Sequence, residues 1–289
     1  MVYRIKQIAK CILGTDRVGR NFRIFPDDTL LVSYPRSGNL WIRFLVANLL
    51  HPDLEVRFSN IEQLVPDTCN ASTRALNGTP RPRFIKSHHY FDHRYRKIVY
   101  IVRDPRDIVL SYHQFQRKYR QIPDDFPLEQ YVDRFIAGKL GSEGWGSWEE
   151  NVASWVTTRG RDPNFLLLRY EDLIADTIGG VACLADFLGI QANAAQLHKA
   201  IELSSAQKLR PLEKQDAHAW VSTRNRRQDI PMVGVATSGG WRQRLPPTSV
   251  SKIEEAWGDL MVKLGYDLVT RNLSGHETSP ATGRTLQPS

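Results

Sequence analysis

The stretch Ser33–Trp41 reads SYPRSGNLW and gathers donors for an anion. An apolar, strand-forming run, Thr29–Tyr34 (TLLVSY), leads into a turn at Pro35–Asn39. Trp41, Phe44, Leu45, Asn48 and Leu49 then follow at helical spacing. A strand–loop–helix of this kind aims backbone N–H groups and the positive end of a helix dipole at one spot, which suits phosphate or sulfate. Arg36 adds a permanent cation whose planar fork matches such oxygens. Ser37 and Asn39 add side-chain donors, and Gly38 lets the backbone approach a ligand closely. A Walker A loop would need two glycines, then Lys and Ser/Thr. Here Leu40 and Trp41 follow Gly38–Asn39, so ATP hydrolysis is disfavoured. On this segment alone an ordinary turn with a surface arginine remains open.

Other stretches carry chemistry of their own. Ile85–His88 (IKSH) brings a histidine to the end of a short extended segment, and imidazole titrates where proton removal is useful. His89 and His93 are close by, so the residues alone leave the choice of base open. Lys86 falls on the same side as His88 if the segment is extended. Val102–Phe115 (VRDPRDIVLSYHQF) places Arg103 just past a strand and Ser111 eight residues on, one turn into a helix. Leu168–Asp172 (LRYED) ends a further strand.

These stretches resemble the motifs of sulfotransferases that use 3′-phosphoadenosine 5′-phosphosulfate (PAPS). SYPRSGNLW looks like the family's 5′-phosphosulfate loop, and Arg103 with Ser111 looks like its 3′-phosphate motif. IKSH looks like its KTH element, and LRYED like its YED strand end. The four occur in family order from Thr29 to Leu188, and Gly239–Arg242 (GGWR) extends the likeness more weakly. The resemblance is to the cytosolic type, in a bacterial-looking member. It implies direct in-line transfer of a sulfuryl group from PAPS to a hydroxyl or amine of a small-molecule acceptor, releasing PAP (adenosine 3′,5′-bisphosphate). The implied catalytic residues are His88 as base, Arg36 in the place of a cationic residue that is often lysine, and Lys86 on the sulfuryl oxygens, with a salt bridge as its alternative. The implied donor-binding residues are Arg36, Ser37, Gly38, Asn39, Leu40, Trp41, Arg103, Ser111 and Tyr170. Trp41 matches a residue that stacks on adenine, and Tyr170 one that hydrogen-bonds the adenine end. Arg106 and Asp107 are expected in local ion pairs or caps.

The sequence also departs from the family pattern. Leu40 replaces a common threonine, and Ala206 a phenylalanine that stacks on adenine. Gly234–Gly240 (GVATSGG) lacks an Arg-Lys pair, for which Arg224, Arg226, Arg227 or Arg242 are candidate substitutes. The competing enzyme reading is a P-loop-like kinase of a small molecule. A nucleic-acid-binding module would need a basic stripe with interleaved aromatics. The clusters Arg117–Arg120 and Arg224–Arg227 alternate instead with acidic stretches, so no nucleic-acid partner is expected.

The elements that must position these groups alternate. Lys97–Val102 (KIVYIV) and Asn164–Arg169 (NFLLLR) read as strands. Ile108–Tyr119 and Ile178–Leu188 read as helices, the first with Asp107 near its positive end and the second closed by Gly189. Val250, Ile253, Trp257, Leu260, Met261 and Leu264 share a helical face, with Ser251 and Glu254 at capping-box spacing and Gly265 as the stop. Alternation predicts an α/β single domain, a central parallel sheet flanked by helices, with ligands at the C-terminal strand ends. With the resemblance, this is a P-loop-NTPase-like sulfotransferase architecture. The expected organisation is an N-terminal extension over 1–28, the sulfotransferase domain over 29–271, and a polar, disordered tail over 272–289. The aromatic-rich stretches Gly144–Trp155 and Tyr112–Tyr119 line either the acceptor pocket or the core.

Composition bounds the rest. The 289 residues carry 39 Lys+Arg against 31 Asp+Glu, a net charge of +8, with 41% hydrophobic and 24% charged residues. Such composition is globular and excludes a disordered or collagenous chain. The charge asks for an anionic partner. The longest apolar runs, such as Phe44–Leu50, are far short of the roughly 20 residues of a membrane span. Cys11, Cys69 and Cys183 form no CxxC pair and are expected reduced and mostly buried. No clustered metal ligands are seen. Without a secretory signal the expected location is the cytoplasm. Arg4–Leu13 is basic enough to touch an anionic membrane, though a packing helix is favoured. Oligomeric state stays open.

Overall fold

The runs TLLVS, FIKS, KIVYIV and FLLLR are built of residues that suit a pleated, buried surface. They form β1 (Thr29–Ser33), β2 (Phe84–Ser87), β3 (Lys97–Val102) and β4 (Phe165–Arg169). The computed structural model describes residues 22–140, 145–234 and 236–270. The expected N-terminal membrane contact at Arg4–Leu13 and the expected tail over 272–289 lie outside the described residues, as does Cys11. All strand pairs are parallel, in the order β2-β1-β3-β4. Leu31 pairs with Lys86 on one side and with Val99 on the other.

Successive strand residues face opposite layers. Leu30, Val32, Ile98, Tyr100 and Val102 pack with helices α2 (Pro105–Lys118), α3 (Leu128–Ile136), α4 (Trp148–Arg159) and α8 (Pro247–Lys263). Leu31, Val99, Ile101 and Leu168 pack with α1 (Asn39–Leu50), α5 (Thr177–Leu188), α6 (Ala194–Leu203) and α7 (Ala206–Gln215). The chain leaves β1 toward one side of the sheet and reaches β3 on the other. The crevice at the C-terminal ends of β1 and β3 is therefore the topological switch point where such sheets bind ligands.

Several element ends differ from the expectation. α2 begins at Pro105 rather than Ile108, because Asp104 caps it by accepting from Arg106 N and proline suits the first helical position. Ser251 and Glu254 are no capping box: α8 starts earlier, after Pro246. Glu254 instead takes Arg106 Nη1 at 2.5 Å and the backbone N–H groups of Val269 and Thr270. Capping boxes stand instead at Ser147 with Glu150, at the start of α4, and at Asn193 with Gln196, at the start of α6. Trp148 and Trp155 belong to the core and not to a pocket. Cys69 and Cys183 are free thiols, and Cys183 is exposed rather than buried, since α5 turns it outward.

Candidate active site

β1 ends at Ser33, and the backbone must reverse sharply to start α1. Arg36 does so at φ 71° and Gly38 at φ 100°. Gly38 lies under the Tyr170 ring, where an added Cβ would stand 2.5 Å from Cδ2. Only glycine fits both the dihedral and the contact. No side chain caps α1, so its first N–H groups remain free to meet a ligand. Ser37 Oγ is buried without a protein partner beside them. The Asn39 side chain turns the other way, donating to Leu31 O at 3.2 Å and Ser33 Oγ at 3.1 Å. It ties the helix start to β1, so Asn39, like Leu40, has only its backbone N–H to offer. Trp41 is half-buried and meets the Tyr170 ring edge-on, with centroids 5.9 Å apart.

Two guanidinium groups converge on this helix end. Arg36 Nε donates to Ser111 Oγ at 3.0 Å, and Nη1 and Nη2 reach Met232 Sδ and O at 3.1 and 3.4 Å. Its charge lies 5.2 Å from the Phe115 ring centroid. Burial and the neighbouring Arg103 cation hold its pKa down to about 10, so it stays charged near neutrality. Arg103 extends from the end of β3, donates to Arg36 O at 3.3 Å and Thr237 O at 3.0 Å, and covers the Tyr170 ring at 4.3 Å. Its Nε is buried and has no partner. Tyr170, first residue after β4, is thus packed between Gly38, Trp41 and Arg103.

His88 follows β2 and is buried. Its Nδ1 lies 2.8 Å from the Ser33 carbonyl oxygen. A carbonyl only accepts, so Nδ1 carries the proton and Nε2 keeps its lone pair. Burial, then the Lys86 cation, holds the imidazole pKa well below 6.5. Trp145 packs edge-on against the ring at 5.3 Å. His89 turns away, into contacts of Nδ1 with Ser87 Oγ and Tyr95 OH at 3.2 and 3.4 Å. Lys86 is paired: its Nζ lies 3.1 and 3.0 Å from the two oxygens of buried Asp67. Burial works against the Asp67 charge, but Lys86 and Arg43 outweigh it and hold the carboxyl well below its ordinary value. Cys69 Sγ is 3.9 Å from the same ammonium, and burial raises its pKa to about 12.

The C-terminal strand ends thus bring together Arg36, Ser37, Gly38, Trp41, His88, Arg103, Ser111 and Tyr170. The Asn39 amide is directed elsewhere, and Lys86 takes the salt bridge that was its alternative. Arg106 makes the expected local ion pair with Asp104 at 2.7 Å. Sequence reasoning did not reach Asp67 or Met232, and it reached Trp145 and Thr237 only as members of the stretches Gly144–Trp155 and Gly234–Gly240. No spacing signal marks them, because each arrives from a distant loop.

The fold is shared with known proteins. The family described as Sulfotransferase domain matches residues 26–265. A parallel sheet whose strand–loop–helix presents unspent donors beside a buried histidine defines the class: an α/β protein with its candidate site at the strand ends. The chain belongs to the sulfotransferase domain family. Mouse sulfotransferase 4A1 is 34% identical over 197 residues, 63% of this chain and 66% of the relative. The chain therefore spans about two thirds of that relative's length. Rabbit (Oryctolagus cuniculus) sulfotransferase 1C2 is 26% identical over 264 residues, 86% of this chain and 88% of the relative. The fold matches mouse sulfotransferase SULT7A1 complexed with PAP, with TM-score 0.65 at 22% identity over 92% of this chain and 95% of that one. It also matches retinol dehydratase in a complex with retinol and PAP, with TM-score 0.68 at 20% identity over 89% and 86% of the two chains.

Proposed function

We propose that this protein is a PAPS-dependent sulfotransferase acting on a hydroxyl or amine of a small-molecule acceptor, with PAP as product. The observation that carries the reading is the set of unspent donors at the start of α1. Uncapped helix N–H groups, the orphaned Ser37 Oγ and the orphaned Arg103 Nε surround a spot flanked by two guanidinium groups. Such a set fits a ligand with phosphate at one end and phosphosulfate at the other. When bound, PAPS supplies an activated sulfuryl group on an anionic leaving group.

The protein's own residues do the rest. The α1 N–H groups and Ser37 hold the 5′ end, and Arg103 with Ser111 holds the 3′-phosphate. Arg36 stands where charge builds on the leaving oxygen, and a fixed cation there favours the transition state over the ground state. It stabilises by charge and keeps its own proton. His88 Nε2 takes the acceptor's proton, with Nδ1–H held on Ser33 O. The Lys86–Asp67 pair holds a cation beside His88, where it disfavours the imidazolium. Trp41 and Tyr170 face the adenine end.

The kinase reading has less support, since Leu40 and Trp41 stand where a nucleotide lysine and magnesium hydroxyl would be needed. The test that separates the two is thermal stabilisation by PAP against ATP with magnesium, followed by an acceptor screen with PAPS. Stabilisation by ATP–magnesium alone would favour the kinase.

The proposed domain runs over 29–271, with an extension before it and a tail after it. A cytoplasmic location is part of this proposal. Separately, no described helix is long and apolar enough to cross a membrane. The relatives named above are mammalian, which lends no support to a bacterial origin.

A further inference from the structure

Two buried carboxylates outside the reacting centre each hold a pair of backbone N–H groups. Glu213, on α7, accepts from Met232 N at 2.6 Å and Val233 N at 2.9 Å. Asp107, on α2, accepts from Gly239 N at 2.7 Å and Trp241 N at 3.0 Å. Their exposures are only 6% and 5%, so both are charges taken out of water and spent on main chain. The segments they hold meet the two arginines of the donor site. Met232, directly bound by Glu213, receives Arg36 through Sδ and O. Thr237, two residues from Gly239, receives Arg103 through its carbonyl. Each relay therefore runs from a carboxylate, through loop backbone, to a guanidinium.

The surroundings make the anchors firm. The Trp241 ring lies between Arg106, 3.8 Å from its centroid, and Arg242, 4.5 Å away. Arg106 is itself paired with Asp104 and Glu254. Near Glu213, Lys118 Nζ donates to Arg227 O at 2.8 Å and Ile230 O at 2.6 Å, fixing the chain just before Met232. Arginine has a long, flexible stem, so a fixed acceptor beside its head narrows the positions the charge can take.

We propose that Asp107 and Glu213 are positioning residues for donor binding: Asp107 sets Arg103, and Glu213 sets Arg36, through the loop segments they hold. The proposal rests on the donor reading above. Without a donor, loop acceptors hold the guanidinium groups; donor oxygens then take over hydrogen bonds that are already aimed. Asp107→Asn and Glu213→Gln keep size but replace one accepting oxygen by a donor facing an N–H.

Isothermal calorimetry with PAP tests this on the full chain, with the fold checked by circular dichroism. Each single variant is expected to bind PAP about tenfold or more weakly than wild type. The decisive readout is coupling. Asp107→Asn should lose its effect when Arg103→Ala is already present, and Glu213→Gln when Arg36→Ala is present. Additive losses would show general damage and overturn the proposal. Should either variant fail to fold, Asp107→Glu and Glu213→Asp, which keep the charge but shift it by one methylene, should show the same coupling. Wild-type protein that does not bind PAP would overturn the donor reading itself. Wild-type binding, with variants that bind equally well, would overturn the positioning roles alone.

Discussion

Arg36 Nε donates to Ser111 Oγ at 3.0 Å across 75 residues of sequence. The contact joins the loop after β1 to the second turn of α2, and so joins the proposed 5′ and 3′ ends of the donor site. Ser111 is thereby held by the very cation proposed to act on the leaving group. A donor that recruits Ser111 releases one Arg36 hydrogen bond toward the reacting centre.

Arg36→Ala should lower turnover from PAPS by about 10²–10³-fold, the usual cost of a lost charge-stabilising donor. Arg36→Lys should keep more activity than Arg36→Ala, because it restores the cation without the fork. Steady-state kcat at saturating acceptor measures both. Turnover of the alanine variant at the wild-type level would remove Arg36 from the leaving-group role.

His88→Ala should abolish transfer while PAP still binds, as calorimetry would report. Burial and Lys86 disfavour the imidazolium, so the base stays neutral as the pH falls below 6.5. The acid limb of kcat/KM, which reports the free enzyme, should therefore lie below 6.5. A limb at or above that value would contradict His88 as the base.

Gly38→Ala should harm both stability and donor binding. The new Cβ would meet Tyr170 Cδ2 at 2.5 Å, at a φ of 100° that L residues rarely adopt. The expected cost is about 1–3 kcal/mol, read from urea unfolding with and without PAP. An unchanged midpoint and unchanged PAP stabilisation would show that the turn has room to adapt.

Glu254→Gln should destabilise the fold by about 3 kcal/mol, because it leaves the buried Arg106 with Asp104 alone. The thermal midpoint should drop accordingly. A midpoint equal to wild type would mean that the pair adds nothing net.

The strands and the loop Ser33–Trp41 were legible because local pattern determines them: apolar runs, a turn with glycine, then helical spacing. Arg36, His88 and Arg103 follow, since each sits within three residues of a strand end. Pairing was not legible. Nothing near Lys86 in sequence announces Asp67, which meets it through a bridge between separate segments. Ser251 and Glu254 have capping-box spacing, yet Pro246 and Pro247 start the helix sooner, which frees Glu254 for Arg106. Asp107 read as a local cap but serves a loop more than a hundred residues away in sequence, since tertiary packing offered it two N–H groups.

The partner that orients His88 is the Ser33 carbonyl of β1. Every residue type presents the same oxygen at that place, so no side-chain replacement at position 33 deletes it. The base's tautomer is thus written into the strand's main chain. A carbonyl also brings no negative charge to balance the imidazolium once a proton arrives. The protonated state stays costly, so in the proposed transfer His88 would hand its proton onward and return to the neutral form.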